Sequence, residues 1–345
     1  MKPKLNHLQA YLAQEFVDDY HKGYMTRREL LARVLGIAGG IASAAAVLTS
    51  MGCEPGTPTP KPGGAATPTP GATAPSPTAK PGGAPTPTPA GTAPPATPTP
   101  APATGASRSK LSVRADDPDI IAADVTFPGE GATLMGYSVR PRTGGPFPAI
   151  LVCHENRGLV EHIRDVTRRL GKAGYAALAV DLVARDGGTA KVDPAQVPGK
   201  LTADPARNVS DFQAAFRYLQ TLDYVQRGNI GMTGFCFGGG ITWMVATAIP
   251  ELKAAVPFYG PIPPLPDVPK IRAAVLGLYG AEDRFINPGI PAVEEAMKQN
   301  GKTFEKIVYP GAGHGFNNDT GPNWNEQAAY DAWDKALAWF KRYLV

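Results

Sequence analysis

A thiol, an imidazole and a carboxylate can together cleave an acyl bond, and this chain carries them in an order that suits that chemistry. Cys236 lies in Gly234-Phe-Cys236-Phe-Gly238, between the apolar residues 230–233 and a helix-compatible segment. The pattern glycine, any residue, nucleophile, any residue, glycine makes a tight strand-to-helix elbow. Glycines are needed there because the strand and the helix approach too closely for side chains. The turn also puts the thiol at a helix N-terminus, where unpaired N–H groups favour a thiolate. A buried, inert cysteine between packing glycines is the plainer alternative. The residue types, their spacing, and the strand before and helix after them favour the elbow.

Partners for the thiol should follow in the order acid, then histidine. The chain has five histidines, and His314 alone lies beyond Cys236. It sits in the glycine-rich stretch Tyr309-Pro-Gly-Ala-Gly-His314-Gly-Phe316, after a strand, where a catalytic base has to hang. Gly280-Ala-Glu-Asp283 supplies the acid just past a strand end; Glu282 competes, and Asp283 has the usual placement. Its role would be to hold the histidine tautomer and ring. Two N–H donors should form an oxyanion hole, one from Phe237 and one from the backbone of Asn156 in the loop 154–158. His154 and His162 read as loop and helix residues. A zinc site from His154, Glu155 and Asp181 matches no metal spacing, so neither a metal nor another cofactor is expected. Cys153 reads as an apolar strand residue that does not pair with Cys236.

Elements able to position these residues can be read from the pattern. Residues 121–127 and 133–140 flank a Pro-Gly-Glu-Gly turn and read as an antiparallel hairpin. Apolar strands are expected at 148–153, 175–180, 230–233, 254–258, 273–279 and 304–308. Helices are expected at 160–173, 206–221, 290–299 and 325–343, with a looser stretch at 186–204. Alternating strands and helices with continuous apolar strands imply a mostly parallel sheet covered on both faces. With the elbow and the hairpin, this is the α/β-hydrolase plan: α/β class, a mostly parallel central sheet, helices on both faces and an N-terminal antiparallel hairpin.

The rest of the chain is of another kind. Of 345 residues, 37 are Pro and 39 Gly, and the net charge is +4. No basic stripe with interleaved aromatics suggests nucleic acid. Leu5, Leu8, Leu12 and Phe16 could line one helix face, within a leader of no legible function. Arg27-Arg28 precedes an apolar run at 34–48, the pattern of a twin-arginine export signal. That run is short for a membrane span. Cys53 ends Leu48-Thr-Ser-Met-Gly-Cys53, close to a lipidation box, with Ser50 where an aliphatic residue is usual. Residues 54–107 are Thr-Pro and Gly-Ala-Pro repeats that cannot build a core. Three divisions follow: export signal at 1–53, disordered linker at 54–107, hydrolase domain at 108–345. An extracytoplasmic location is expected, with membrane contact only through the signal or a lipid on Cys53.

The globular part resembles the dienelactone hydrolase family, the carboxymethylenebutenolidases. The resemblance rests on the Gly-Phe-Cys236-Phe-Gly-Gly elbow, Asp-Leu-Val-Ala-Arg185, Gly-Ala-Glu-Asp283 and the His314 loop, and covers residues 120–345. It implies a Cys236–Asp283–His314 triad acting through an acyl-enzyme. It implies that Glu155 contacts the nucleophile and helps form the thiolate, and that Arg185 binds a substrate carboxylate. The family members that act on dienelactone carry a second arginine shortly after the histidine, where this chain has Asn317-Asn318-Asp319. A hydrolase of small esters or lactones, working as a monomer, is the expectation. The alternatives are a thioesterase, a peptidase-like hydrolase, or a non-catalytic surface binding module.

Overall fold

The computed structural model describes residues 5–50 and 107–345; Cys53 and nearly all of the expected linker lie outside the described residues. The hydrolase part holds one eight-stranded sheet. In chain order its strands are β1 (Ile120–Gly129), β2 (Ala132–Pro141), β3 (Phe147–Cys153), β4 (Ala176–Asp181), β5 (Val225–Phe235), β6 (Ala254–Phe258), β7 (Ala274–Gly280) and β8 (Phe304–Tyr309). Their order across the sheet is β1-β2-β4-β3-β5-β6-β7-β8. The first two strands form the expected hairpin, with Phe127 opposite Leu134. β2 meets β4 antiparallel, and every later pairing is parallel.

β3, β4, β6 and β7 are buried at every position, as strands covered on both faces must be. The cover comes from α4 (Glu161–Lys172), α6 (Pro205–Thr221), α7 (Phe237–Ala248), α8 (Ile290–Gln299) and α9 (Glu326–Leu344). The chain leaves β3 through α4 to reach β4 on one side, and returns through α6 to β5 on the other. Crossovers of opposite direction leave a crevice at the carboxyl ends of β3 and β5, where ligands of open α/β sheets bind. Cys236 lies directly after β5, and Glu155 and Asn156 directly after β3. The stretch expected to be loose carries a further short helix, α5 (Val197–Ala203).

The described part of the expected leader is folded. It forms α1 (His7–His21), α2 (Arg27–Ala38) and α3 (Ile41–Ser50). Asn6 and Gln9 make a reciprocal capping box at the start of α1, as Thr26 and Glu29 do for α2; such caps satisfy donors that a helix start leaves open. Leu8, Leu12, Ala13 and Phe16 are fully buried. Burying each of the three larger side chains contributes at most ~1.5–3 kcal/mol. The Asn6 amide donates to the Thr202 carbonyl in α5 at 2.8 Å, and Gln9 to the Ile37 carbonyl at 3.1 Å. α2 crosses α5 at two glycines: a Cβ on Gly199 would lie 2.4 Å from the Gly36 carbonyl oxygen.

Candidate active site

The elbow is built as the glycine spacing requires. Cys236 has φ 58° and ψ −123° and caps α7. An L residue held there costs on the order of 1–3 kcal/mol. Its N–H donates to the Phe258 carbonyl at 3.1 Å, and its own carbonyl accepts from Gly239 at 2.9 Å. A Cβ on Gly234 would sit 2.2 Å from the Gly238 oxygen, and one on Gly238 would sit 2.4 Å from the His154 oxygen. Phe237 is the first residue of α7, so its N–H is among those a helix leaves without an internal partner. Cys153 and Cys236 are both free thiols.

His314 and Asp283 meet beside the elbow. The imidazole Nδ1 lies 2.6 Å from Asp283 Oδ2, and Asp283 is 2% exposed. Its other oxygen accepts from the backbone N–H groups of Phe285 and Ile286, each at 3.2 Å. Glu282 is exposed, so of the two neighbouring carboxylates it is Asp283 that faces the imidazole. The Tyr259 ring packs edge-on against the imidazole, centroids 5.0 Å apart. Tyr259 is itself at φ 36°, the other non-glycine residue of positive φ among the described residues.

Two groups at the thiol come from a region the sequence reading assigned no function. From α1, the Tyr11 hydroxyl lies 3.3 Å from Cys236 Sγ and 3.0 Å from His314 Nε2. Glu15, one turn later, accepts from Sγ, with Oε2 at 3.3 Å. Glu15 Oε1 takes a 2.8 Å hydrogen bond from the Asn156 side-chain amide. Asn156 thus reaches the site, here through its side chain.

Two expected site residues are engaged differently. Glu155 is buried, but its carboxylate accepts from Asn318 Nδ2 at 2.7 Å and faces the Tyr259 hydroxyl at 3.5 Å. The carboxylate that hydrogen-bonds the thiol is Glu15. Arg185 is not brought to the thiol: it pairs with the buried Asp211 at 2.7 Å and donates to the Glu130 carbonyl at 2.7 Å. A buried carboxylate left without its cation would be costly, so Asp211 anchors the guanidinium in this pairing. The Asn317–Asp319 stretch that replaces the family's second arginine is structural. Asn318 holds Glu155, and Asp319 binds Arg169 at 2.7 Å and His162 at 3.0 Å. His154 uses both ring nitrogens, one toward the Glu155 carbonyl and one toward the Leu182 N–H, so the zinc set set aside from the sequence has no free imidazole.

The electrostatics follow from burial. Burial, then the charge of Glu15, pushes the Cys236 thiol up to about 12, against the pull of His314. Burial alone would lower the His314 imidazole; Asp283, helped by Cys236 and Glu15, more than reverses this and lifts it well above the usual range. Glu15 is raised by burial, with His314 opposing. Glu15, Cys236 and His314 present donor atoms within 4.8 Å of one another. That mixed set could grip a divalent ion, but its hydrogen bonds already satisfy it. A cleft of about 740 Å³ opens alongside, lined by Asp18, Tyr24, Asp283, Phe285, His314 and Asn323 among others, and Cys236 is not part of its wall.

Comparison with known proteins agrees with this architecture. The model of the dienelactone hydrolase family matches residues 134–344. A relative from Methylorubrum extorquens is 37% identical over 251 residues, 69% of this chain and 86% of its own length. One from Escherichia coli K12 is 35% identical over 263 residues, 70% of this chain and 94% of its own. Both bear the name "Putative carboxymethylenebutenolidase". Among solved structures, a "Putative Dienelactone Hydrolase" from Klebsiella pneumoniae superposes with a TM-score of 0.61 at 34% identity, covering 65% of this chain and 99% of that one. The metagenomic dienelactone hydrolase-like promiscuous phosphotriesterase P91 superposes with a TM-score of 0.60 at 25% identity, covering 66% and 100%. The family model over most of the hydrolase part, with relatives so named and matched over most of their length, makes the chain a lactone and ester hydrolase that belongs to the dienelactone hydrolase family.

Proposed function

We propose that this hydrolase works through an acyl-enzyme on Cys236, with His314 carrying the proton and Asp283 orienting it. The observation that carries the reading is the 2.6 Å contact between His314 Nδ1 and the buried Asp283. A proton held at Nδ1 lets Nε2 of the neutral ring accept one from the thiol, and the basicity that Asp283 adds favours that transfer. In the first step the Sγ–H proton passes to Nε2 and sulfur bonds to the carbonyl carbon. The Phe237 N–H and the Asn156 amide meet the oxyanion. The C–O bond then breaks, and the leaving alcohol takes the proton from Nε2. A water attacks the thioester, gives a proton to Nε2, and releases the acid as Sγ regains its proton.

Small uncharged esters and lactones suit the site better than a dienelactone carboxylate. A firm carboxylate clamp uses paired guanidinium donors, whereas Arg185 is bound to Asp211 and the second arginine position is held by Asn317–Asp319. The Arg27-Arg28 pair ahead of the apolar run 34–48 supports an extracytoplasmic location. Among the described residues, no single helix is long and apolar enough to cross a membrane. The test is Cys236→Ala assayed on 4-nitrophenyl acetate and a small lactone. Under conditions where the parent turns these substrates over, turnover should vanish, and an unchanged rate would remove Cys236 as nucleophile.

A further inference from the structure

On the α1 side the nucleophile is covered. Sγ touches the Tyr11 hydroxyl at 3.3 Å and both Glu15 oxygens at 3.3 and 3.6 Å, and Cys236 is 3% exposed. A carbonyl carbon under attack has to come within about 3–3.5 Å of Sγ. Glu15 fills that space. One of its oxygens lies on Sγ, and the other takes the Asn156 amide hydrogen bond. A carboxylate so held has the shape and charge of the acid that acyl hydrolysis releases. Leu12 and Phe16, both fully buried, lie in the apolar seam of the same helix. The neighbouring cleft reaches His314 and stops short of the thiol.

We propose that α1 is an intramolecular cap, which seats the Glu15 carboxylate in the acyl subsite of Cys236, and that turnover begins only when α1 is displaced. This rests on Cys236 being the nucleophile. The other role open to Tyr11 and Glu15 is to complete a working site, and three observations weigh against it. A substrate acyl group and the Glu15 carboxylate cannot share one position. Burial and the Glu15 charge hold the thiol protonated, the unreactive form. The match to the family model begins at residue 134, and the Klebsiella structure is matched over 99% of its length by 65% of this chain. The common reaction therefore has no need of α1.

The cap also has a means of leaving. It continues into α2 and α3, with Arg27, Arg28, Leu31 and Leu35 exposed on α2. More than fifty residues rich in Pro and Thr then separate α3 from the hydrolase part. Capture or removal of α2 and α3 would draw α1 away while the sheet stays folded. These are the same residues whose pattern suggests an export signal, so the cap would keep a thiol hydrolase silent until that segment is engaged.

The experiment uses the full chain in a Cys53→Ser background and introduces Leu12→Asp with Phe16→Asp. Two charges in that seam expel α1. The readouts are the rate of Cys236 modification by 5,5′-dithiobis(2-nitrobenzoate) and kcat on 4-nitrophenyl acetate, with thermal unfolding as a fold check. Both rates should rise at least tenfold. If the double variant does not fold, a specific protease site placed within 54–106 of the full chain replaces it, cut after folding and followed by removal of the freed segment. An unchanged modification rate, or a fall in turnover in a folded protein, overturns the cap. Cys236→Ala added to the uncapped variant separates this from the nucleophile assignment. Residual hydrolysis there defeats the assignment, while the modification rates still report on the cap.

Discussion

Replacing Asp283 by Asn tests the orienting carboxylate with almost no change of shape. In the native site, the N–H groups of Phe285 and Ile286 donate to Oδ1 at 3.2 Å each, and Oδ2 faces His314 Nδ1 at 2.6 Å. An Asn amide has one acceptor and one donor end. If its NH₂ faced the two backbone donors, both would be left unmade in a buried site, at about 1–3 kcal/mol each. The sum, roughly 2–6 kcal/mol, turns the amide so that its oxygen takes those donors and its NH₂ faces His314. Nδ1 must then accept, and the ring proton moves to Nε2. An Nε2–H cannot take the thiol proton. The charge that lifts the imidazole is lost as well. We expect kcat to fall roughly 10³- to 10⁴-fold, about 4–5.5 kcal/mol of barrier, with little change in unfolding temperature. Initial rates on 4-nitrophenyl acetate, in the full chain and in the uncapped variant, measure it. More than about a tenth of the parent kcat in the uncapped background would refute the tautomer argument.

Two further outcomes follow from charge and burial. Asp319→Ala leaves the buried Arg169 without one of its carboxylates and His162 without its partner; breaking such a set costs about 3–5 kcal/mol. Chemical denaturation should show it, and a loss under about 1 kcal/mol would mean the network is not holding the fold. A thiol pushed up to about 12 should react with disulfide reagents about tenfold faster per pH unit from 7 to 10, without a plateau. The uncapped thiol, freed of Glu15 but still beside the helix N-terminus and His314, should level off at lower pH than the capped one; a plateau by pH 9 in the full chain would contradict the buried, neutral thiol. Below that range of pH the cap should also loosen as pH rises. Burial and then Glu15 raise Asp19 from 3.8 to about 7 in the folded chain. The docked helix therefore keeps a proton that the free helix has lost, and its docking weakens as pH rises between those values.

Most of the candidate site could be read from the sequence because its parts are local. Elbow glycines, a histidine in a glycine loop and an acid after a strand are each confined to a few residues, and their backbone demands show in residue type. Asp283 was preferred to Glu282 on its placement after the strand; the burial that sets the two apart comes from the whole sheet and is not written in the pattern. Arg185 was read from its motif, but its partner Asp211 lies 26 residues further along, on α6. Tyr11 and Glu15 are 225 and 221 residues from Cys236, in a stretch that looks like a leader. A signal was present in the Asn6–Gln9 capping box, the Leu8, Leu12, Phe16 stripe, and the Tyr11 and Glu15 pair one turn apart. These mark a helix meant to be seated, but nothing in them says on what.

The place where the chain rejoins the hydrolase part bears on how it would respond to mechanical load. The Ser107 hydroxyl donates to Asp319 at 2.5 Å, the Ser109 N–H donates to the same carboxylate at 3.2 Å, and Arg108 donates to the Asp319 carbonyl at 2.8 Å. A pull on the N-terminal helices is transmitted along the connecting stretch and arrives first at these bonds. Asp319 is in turn tied to Arg169 on α4, a helix laid across the sheet. Force would therefore be taken up by a buried ionic knot that cross-links three parts of the chain, before it reached the outer strand β1. The helix over the thiol, held by a few hydrogen bonds and one apolar seam, would yield first, and the sheet would remain whole.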